Sequence, residues 1–318
     1  MLNSKKWKVL VYHPALLDEY MNGLQKGRPD LIYFPCRTRQ EAELHISEAD
    51  ILFGSTSFPG DLLKKGSRLK WIQVMGAGVE QFALSRVIPE GVPLTRVKGS
   101  FGPRMAEYVL AHMLFNTQKI ALGLEQQHQH RWELYFPEVL FEKTLGVAGL
   151  GSVGRAVAQK AAALGMTVYG LDMEPREYPF LKQCFGLKDI HEFAEKLDFL
   201  SICLPLTSNT RGLFGQEVFS HMKKTACIIN ISRGPLIVEK DLIAFMKSGK
   251  LNGAILDVTD QEPLPPESEL WSLPGVRVTP HMSGPSLPSE VLAVFFENLN
   301  LLEREQTLIN IVDLEQEF

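Results

Sequence analysis

Three short segments of this 318-residue chain carry side chains able to hold an anion and move a proton: Asn230-Ile231-Ser232-Arg233-Gly234, Asp257-Val258-Thr259-Asp260-Gln261-Glu262-Pro263 and Thr279-Pro280-His281-Met282-Ser283-Gly284. Arg233 offers a planar guanidinium that grips a carboxylate through two parallel hydrogen bonds. His281 offers an imidazole, a group whose unperturbed pKa lies near neutral pH and suits both giving and taking a proton. Glu262 offers a carboxylate that can orient such a ring and favour its charged form. Singly, each has an ordinary use as a salt bridge, a solvated loop acid or a satisfied loop histidine.

A fourth segment has a more specific spacing. Gly149-Leu150-Gly151-Ser152-Val153-Gly154 fits Gly-x-Gly-x-x-Gly, directly after the apolar run 145–148 and at the start of a helical pattern over 155–164. The first glycine suits a tight turn, the second a close backbone approach to pyrophosphate, and the third close packing of helix on strand. The N–H groups of the helix N-terminus then favour negative charge. A second apolar run, 167–171, ends at Asp172, 18 residues beyond Gly154, where an acid can accept from both ribose hydroxyls. Its charge would repel a 2'-phosphate, and of the residues that follow only Arg176 could reach the neighbourhood, so NAD is expected rather than NADP.

The elements that must position these residues follow from the alternation of short apolar runs with helix-length amphipathic stretches, which predicts parallel sheets. Strands are expected over 8–12, 31–34, 50–53 and 70–74, then over 144–148, 167–171, 199–204, 226–231, 253–258 and 276–279. Between the two series the spacing predicts one long helix from Met105 to about Gln126, followed by a polar break over 126–132 that marks the domain junction. Glu262-Pro263-Leu264-Pro265-Pro266 reads as a surface loop, and Pro288 precedes a final helix from Ser289. The three polar segments lie where strands end, the place ligands occupy in open α/β sheets.

Taken together, the glycine loop, these segments, Cys203-Leu204-Pro205-Leu206-Thr207 with Thr210, and Pro235-Leu236-Ile237 closely resemble the D-isomer-specific 2-hydroxyacid dehydrogenase family, which includes glyoxylate/hydroxypyruvate reductases and phosphoglycerate dehydrogenases. The resemblance covers nearly the whole chain and is densest over 146–284. It implies an α/β fold of two doubly wound parallel-sheet domains: a Rossmann NAD-binding domain, residues 101–284, inserted in a flavodoxin-like substrate domain formed by 1–100 and 285–318, with the active site in the cleft between. It implies hydride transfer between NAD(H) and C2 of a small 2-oxo or 2-hydroxy acid of D configuration, in a homodimer.

Residue by residue, the resemblance makes Arg233 the group that holds the substrate carboxylate and polarises the C2 carbonyl, His281 the proton donor and acceptor, and Glu262 its partner. Asp257 matches the position that helps hold the nicotinamide carboxamide. Leu204, Pro205, Thr210 and Ile231 match residues around the cofactor, Ser152 and Val153 complete its glycine loop, and Ser283 and Gly284 lie beside the nicotinamide pocket. Gly76, Ala77 and Gly78, within Met75-Gly76-Ala77-Gly78-Val79, resemble the loop whose backbone N–H groups meet the substrate carboxylate, and glycine permits that approach. The chain departs from the family pattern at Glu80, where Asp is more usual, and at Phe101-Gly102-Pro103-Arg104-Met105. Trp132, Tyr135 and Phe136 read as packing rather than as catalytic groups.

Composition narrows the alternatives. A chain of 45% hydrophobic and 22% charged residues with net charge −4 has neither the signature of disorder nor the basic footprint that nucleic acid requires. Lys5, Lys6 and Lys8 read as a solvated terminus. The run Val9-Leu10-Val11-Tyr12 is too short for a signal segment or a membrane span, which points to the cytoplasm. Cys36, Cys184, Cys203 and Cys227 form no Cys-x-x-Cys pair and read as buried free thiols, and His128 and His130 lack acids or cysteines at metal-ligand spacing. Two other readings share the cofactor motif: an NAD(H)-sensing corepressor-like module, and a dehydrogenase of another small anion such as formate or phosphite. The joint presence of Arg233, Glu262 and His281 argues against both, and turnover of a 2-oxo acid separates them.

Overall fold

The computed structural model describes residues 6–79, 82 and 87–314. The chain divides into two compact units, one made of residues 1–100 and 286–318, the other of the intervening 101–285. The first begins β1(Lys8–Tyr12), α1(Leu17–Gly27), β2(Ile32–Cys36), α2(Arg39–His45), β3(Ile51–Gly54), β4(Trp71–Val74) and β5(Leu94–Thr95). Its sheet has the order β2-β1-β3-β4-β5, every pair parallel, which is the flavodoxin-like doubly wound order. The central strands are buried on both faces and therefore read as near-continuous apolar runs rather than alternating ones, with Gln73 of β4 a buried polar exception.

The inserted unit runs α3(Gly102–Thr117), α4(Ile120–His128), β6(Thr144–Ala148), α5(Ser152–Ala163), β7(Thr167–Asp172), β8(Gln183–Gly186), α6(Ile190–Glu195), β9(Phe199–Ile202), α7(Gln216–His221), β10(Cys227–Asn230), α8(Glu239–Lys247), β11(Gly253–Leu256) and β12(Val276–Val278). Its strands order as β12-β11-β10-β9-β6-β7-β8, all parallel. The chain reverses direction across the sheet between β6 and β9, so the Rossmann switch point falls beside the glycine loop that follows β6. Two apolar clusters sandwich this sheet, one around Phe193, Phe214 and Phe219, the other around Val109, Val157 and Ala161.

The long helix expected over 105–126 is two helices. Lys119 sits at φ 51°, and the returning chain caps the first helix: Glu138 N–H donates to the Thr117 carbonyl at 2.8 Å and the Gln118 amide donates to the Glu138 carbonyl at 3.0 Å. Beyond α4, Trp132 and Phe136 stand in solvent, which corrects the expectation that they pack. All four cysteines are free as expected, but only Cys36 and Cys227 are fully buried.

The chain returns to the first unit as α9(Pro288–Glu303). Phe295 packs on Phe53 and Trp71 at ring separations of 4.4 and 5.1 Å. Beside them lies a buried polar chain: Trp71 Nε1 donates to Thr95 Oγ1 at 2.7 Å, Thr95 donates to Gln73 Oε1 at 2.8 Å, and Asn298 Nδ2 donates to the same oxygen at 3.2 Å. Each buried polar group thus has a partner, which is what makes such a network tolerable inside an apolar core.

Candidate active site

In the inserted unit the predicted residues gather at the C-terminal ends of the strands. The turn after β6 needs Gly149: its φ is 94°, and a Cβ there would meet the Leu204 amide at 2.6 Å. Gly154 lies against the turn itself, where a Cβ would overlap the Gly149 carbonyl. Gly151 differs from both, being exposed, extended at φ −66° and ψ −165°, with nothing within 4 Å of the place a Cβ would take. Open space in front of a backbone N–H at a helix N-terminus is what a bound pyrophosphate requires, so the residues present fit a dinucleotide.

Asp172 closes the far side of this loop. Its Oδ2 accepts from the Leu150 N–H at 2.6 Å and its Oδ1 from the Glu174 N–H at 3.3 Å, which fixes the carboxylate at the end of β7. Arg176, the cation that could offset it, is paired with Glu174 at 2.8 Å.

The three polar segments close on one another. His281 Nδ1 lies 2.8 Å from Glu262 Oε2. The ionised carboxylate can only accept, so the proton is on Nδ1 and the opposite nitrogen, Nε2, is left for chemistry. Glu262 Oε1 accepts from the Thr259 N–H at 3.2 Å. Burial pushes the Glu262 carboxyl up, but the His281 hydrogen bond and charge, the Thr259 N–H and the Arg233 guanidinium outweigh it and hold the pKa below the ordinary carboxylate value.

Arg233 is aimed by its neighbours. Fully buried Asn230 ends β10, donates to the Arg233 carbonyl at 2.9 Å and accepts from the Ser232 N–H at 3.1 Å. Arg233 Nη1 donates to the Ser232 carbonyl at 2.6 Å, and the Ser232 hydroxyl donates to the Leu204 carbonyl, tying the β9 and β10 loops together. Gly234 packs where a Cβ would overlap Thr259, so the Arg233 loop and the Glu262 loop touch through backbone.

His281 adopts φ 50°, a left-handed conformation that costs energy in a non-glycine residue and survives only where the surroundings fix it. Its N–H donates to the Asp257 and Thr279 carbonyls at 2.9 and 3.0 Å. The buried Asp257 carboxylate accepts from Thr279 Oγ1 at 2.6 Å, Met282 N–H at 2.8 Å and Ser283 N–H at 2.9 Å.

Not every predicted residue faces this cluster. Leu204, Ile231 and Thr210 are buried, and the Thr210 hydroxyl donates to the Pro205 carbonyl at 2.6 Å and accepts from the Thr207 N–H at 2.9 Å, so it shapes the loop from beneath. Pro205, Ser152, Val153 and Gly284 are partly exposed, while Ser283 is buried. In the other unit, Gly76, Ala77 and Gly78 follow β4 in a loop fixed by Val97 N–H to the Gly76 carbonyl at 3.0 Å and by Arg96 to the Ala77 carbonyl at 3.3 Å. Glu80 and Lys5 lie outside the described residues. Among the described residues, no group of three or more His, Cys, Asp or Glu is placed to hold a metal ion. Sequence reasoning passed over Asn230, Thr259, Thr279 and Tyr108, whose hydroxyl lies 2.7 Å from Thr279 Oγ1. For the first three the available signal was a polar residue ending or following an apolar strand run; Tyr108 lies inside α3 and had none.

A family model described as "D-isomer specific 2-hydroxyacid dehydrogenase, NAD binding domain" matches residues 110–283. The chain is 30% identical over 313 residues to a glyoxylate/hydroxypyruvate reductase A of Yersinia enterocolitica, covering 96% of this chain and 98% of that one. Among solved structures, a D-isomer specific 2-hydroxyacid dehydrogenase family protein from Aeromonas salmonicida superposes with TM-score 0.89 at 33% identity, over 98% of this chain and 100% of that one. An NADPH-dependent glyoxylate/hydroxypyruvate reductase from Sinorhizobium meliloti, in complex with NADP and sulfate, superposes with TM-score 0.87 at 28% identity, over 99% and 100% of the two chains.

Proposed function

The chain belongs to the D-isomer specific 2-hydroxyacid dehydrogenase family, and from that we propose that it reduces small 2-oxo acids of the glyoxylate and hydroxypyruvate kind at C2, giving the D-hydroxy acid. The observation that carries this reading is the 2.8 Å His281–Glu262 pair, whose loop touches the Arg233 loop where Gly234 packs on Thr259, at the C-terminal ends of the sheet that also bears the glycine turn. With the pyrophosphate of a dinucleotide at the glycine turn, its nicotinamide would supply or take up the hydride, chemistry that belongs to the cofactor. Arg233 holds the substrate carboxylate and draws electron density from the C2 carbonyl. His281 gives a proton from Nε2 to the carbonyl oxygen and recovers it in the reverse direction. Glu262 accepts from Nδ1 and keeps the ring oriented, with Nε2 left to carry the transferred proton. We assign Gly76, Ala77 and Gly78 to substrate binding on the family resemblance of their loop, whose backbone N–H groups suit a carboxylate.

We assign NAD as the preferred cofactor. Asp172 is anchored by the Leu150 N–H, and the nearby Arg176 is already paired with Glu174, so a 2'-phosphate would meet an uncompensated negative charge. The relatives that hold NADP make this a property to be tested on this chain. We also assign a homodimer, because Trp132, Leu134, Phe136 and Phe141 are large apolar side chains exposed along one stretch of the inserted unit. We place the enzyme in the cytoplasm: its thiols are free, and no helix among the described residues is long and apolar enough to cross a membrane.

The test is NADH oxidation with glyoxylate, hydroxypyruvate, pyruvate and phenylpyruvate, repeated with NADPH and with His281→Ala. Turnover of a small 2-oxo acid with NADH favoured over NADPH, lost in the variant, is the expected result. NADH binding without turnover of any acid would replace this reading with that of a sensor.

A further inference from the structure

The loop that carries His281 is held by a directed chain of hydrogen bonds that begins on another element. Thr279 Oγ1 lies 2.6 Å from Asp257 Oδ1 and 2.7 Å from the Tyr108 hydroxyl of α3. A hydroxyl has one proton, and a carboxylate at that distance can only accept it. The Thr279 proton is therefore committed to Asp257, and Tyr108 must donate to Thr279. The direction is fixed: Tyr108 O–H to Thr279 Oγ1, Thr279 O–H to Asp257 Oδ1. Burial, moderated by the Thr279 hydrogen bond and reinforced by the Asp257 charge, pushes the Tyr108 hydroxyl up to about 12, so it stays protonated and able to donate across neutral pH.

The receiving end of the chain is the carboxylate that also takes the N–H groups of Met282 and Ser283, the two residues that follow His281. Asp257 is buried, and its charge is tolerable there because several donors meet it. Removing one donor weakens the hold on a segment whose His281 already sits at φ 50° and does not keep that geometry unaided.

We propose that Tyr108 and Thr279 are positioning residues, which set His281 for proton transfer through the Asp257 carboxylate without themselves touching substrate. The proposal rests on the reading of His281 given above. It adds that the aim of the ring depends on α3, through side chains no part of that reading uses.

The experiment compares Thr279→Val, Thr279→Ser and Tyr108→Phe with the wild type in two independent readouts. The first is hydrogen–deuterium exchange of the peptide spanning 279–284, which needs no substrate. Thr279→Val is expected to speed exchange there by about tenfold, as loss of a hydrogen bond to a charged group implies, Tyr108→Phe by less, and Thr279→Ser hardly at all. The second is turnover: kcat is expected to fall about tenfold or more in Thr279→Val with substrate KM little changed, the isotope effect from 4-deuterated NADH to rise, and Thr279→Ser to restore the rate. A lower melting temperature with unchanged kcat and unchanged exchange over 279–284 would overturn the proposal, because the chain would then be ordinary packing. If the wild type turns over no 2-oxo acid, the functional reading falls, and the exchange pattern alone still decides whether these side chains hold the loop.

Discussion

The glycine turn allows folding and binding to be separated by one methyl group. Gly151→Ala adds a Cβ where nothing lies within 4 Å, at a backbone conformation that alanine can adopt. Two small effects oppose each other in stability. Alanine restricts the unfolded chain, worth roughly 0.4–1 kcal/mol in favour of folding. Gly151 is also the residue preceding α5, a capping position at which alanine is disfavoured by several tenths to about 1 kcal/mol. The net change should lie within about 1 kcal/mol of zero, or roughly 4 °C in the melting temperature of a unit this size. Binding has no such compensation. The methyl fills the approach to the backbone N–H groups, and losing one hydrogen bond to a charged phosphate costs roughly 1.5–3 kcal/mol, about ten- to hundredfold in Kd.

The assay is thermal unfolding without cofactor, together with NADH titration by fluorescence. Gly154→Ala is the contrasting variant: its Cβ would overlap the Gly149 carbonyl, a backbone atom that cannot rotate away, so it should cost roughly 1–3 kcal/mol or more of stability before any ligand is added. Wild-type NADH affinity in a stably folded Gly151→Ala would refute the reasoning, since the open space in front of that residue would then not be where the dinucleotide lies.

Two further outcomes follow from the same geometry. The folded-state pKa of Glu262 is below its ordinary value of 4.5, so its ion pair adds stability that is present above the unfolded carboxyl pKa and lost as pH falls through the folded one. The melting-temperature gap between wild type and Glu262→Gln should thus be present at neutral pH and close on acidification; with side-chain exposures of 39% and 49% in the pair it should stay below about 1 kcal/mol, and a gap that widens in acid would contradict the assignment. Replacing Trp132 and Phe136 together by Ser should convert a dimer to a monomer in sedimentation with no loss of monomer stability, since both side chains are exposed in the single chain; an unchanged sedimentation coefficient would place the interface elsewhere.

What could be read in the sequence was whatever a single local pattern dictates. β6 runs over 144–148 as its apolar pattern implies, because a strand buried on both faces favours a near-continuous apolar run. The glycine spacing was equally legible, since a turn at φ 94° and a helix packed on that turn leave few residue choices. The break at Lys119 was not, because apolar periodicity continues through it and the cause is the chain returning at Glu138, a contact 21 residues away in sequence from Thr117. β5 and β8 escaped notice for another reason: two residues, Leu94-Thr95, and the stretch Gln183-Cys184-Phe185-Gly186 are too short and too polar to signal a strand, and exist because a neighbouring strand offers them a parallel edge.

The site shows the same division in sharper form. Arg233, Glu262 and His281 were visible because their side chains have chemistry to offer, whereas Asn230, Thr259 and Thr279 have none and were passed over. Yet Asn230 closes the turn carrying Arg233, Thr259 fixes Glu262, and Thr279 fixes Asp257. Asp257 illustrates why residue type alone underdetermines role. A carboxylate has about four acceptor sites, and three are taken here by the loop bearing His281, which leaves roughly one, on Oδ2, for a bound carboxamide. A group matched only to cofactor binding therefore spends most of its hydrogen-bonding capacity on the catalytic loop. It follows that Asp257→Asn cannot be read as a loss of cofactor contact alone: an amide keeps one acceptor oxygen for three loop donors, so nicotinamide binding and the aim of His281 must fail together.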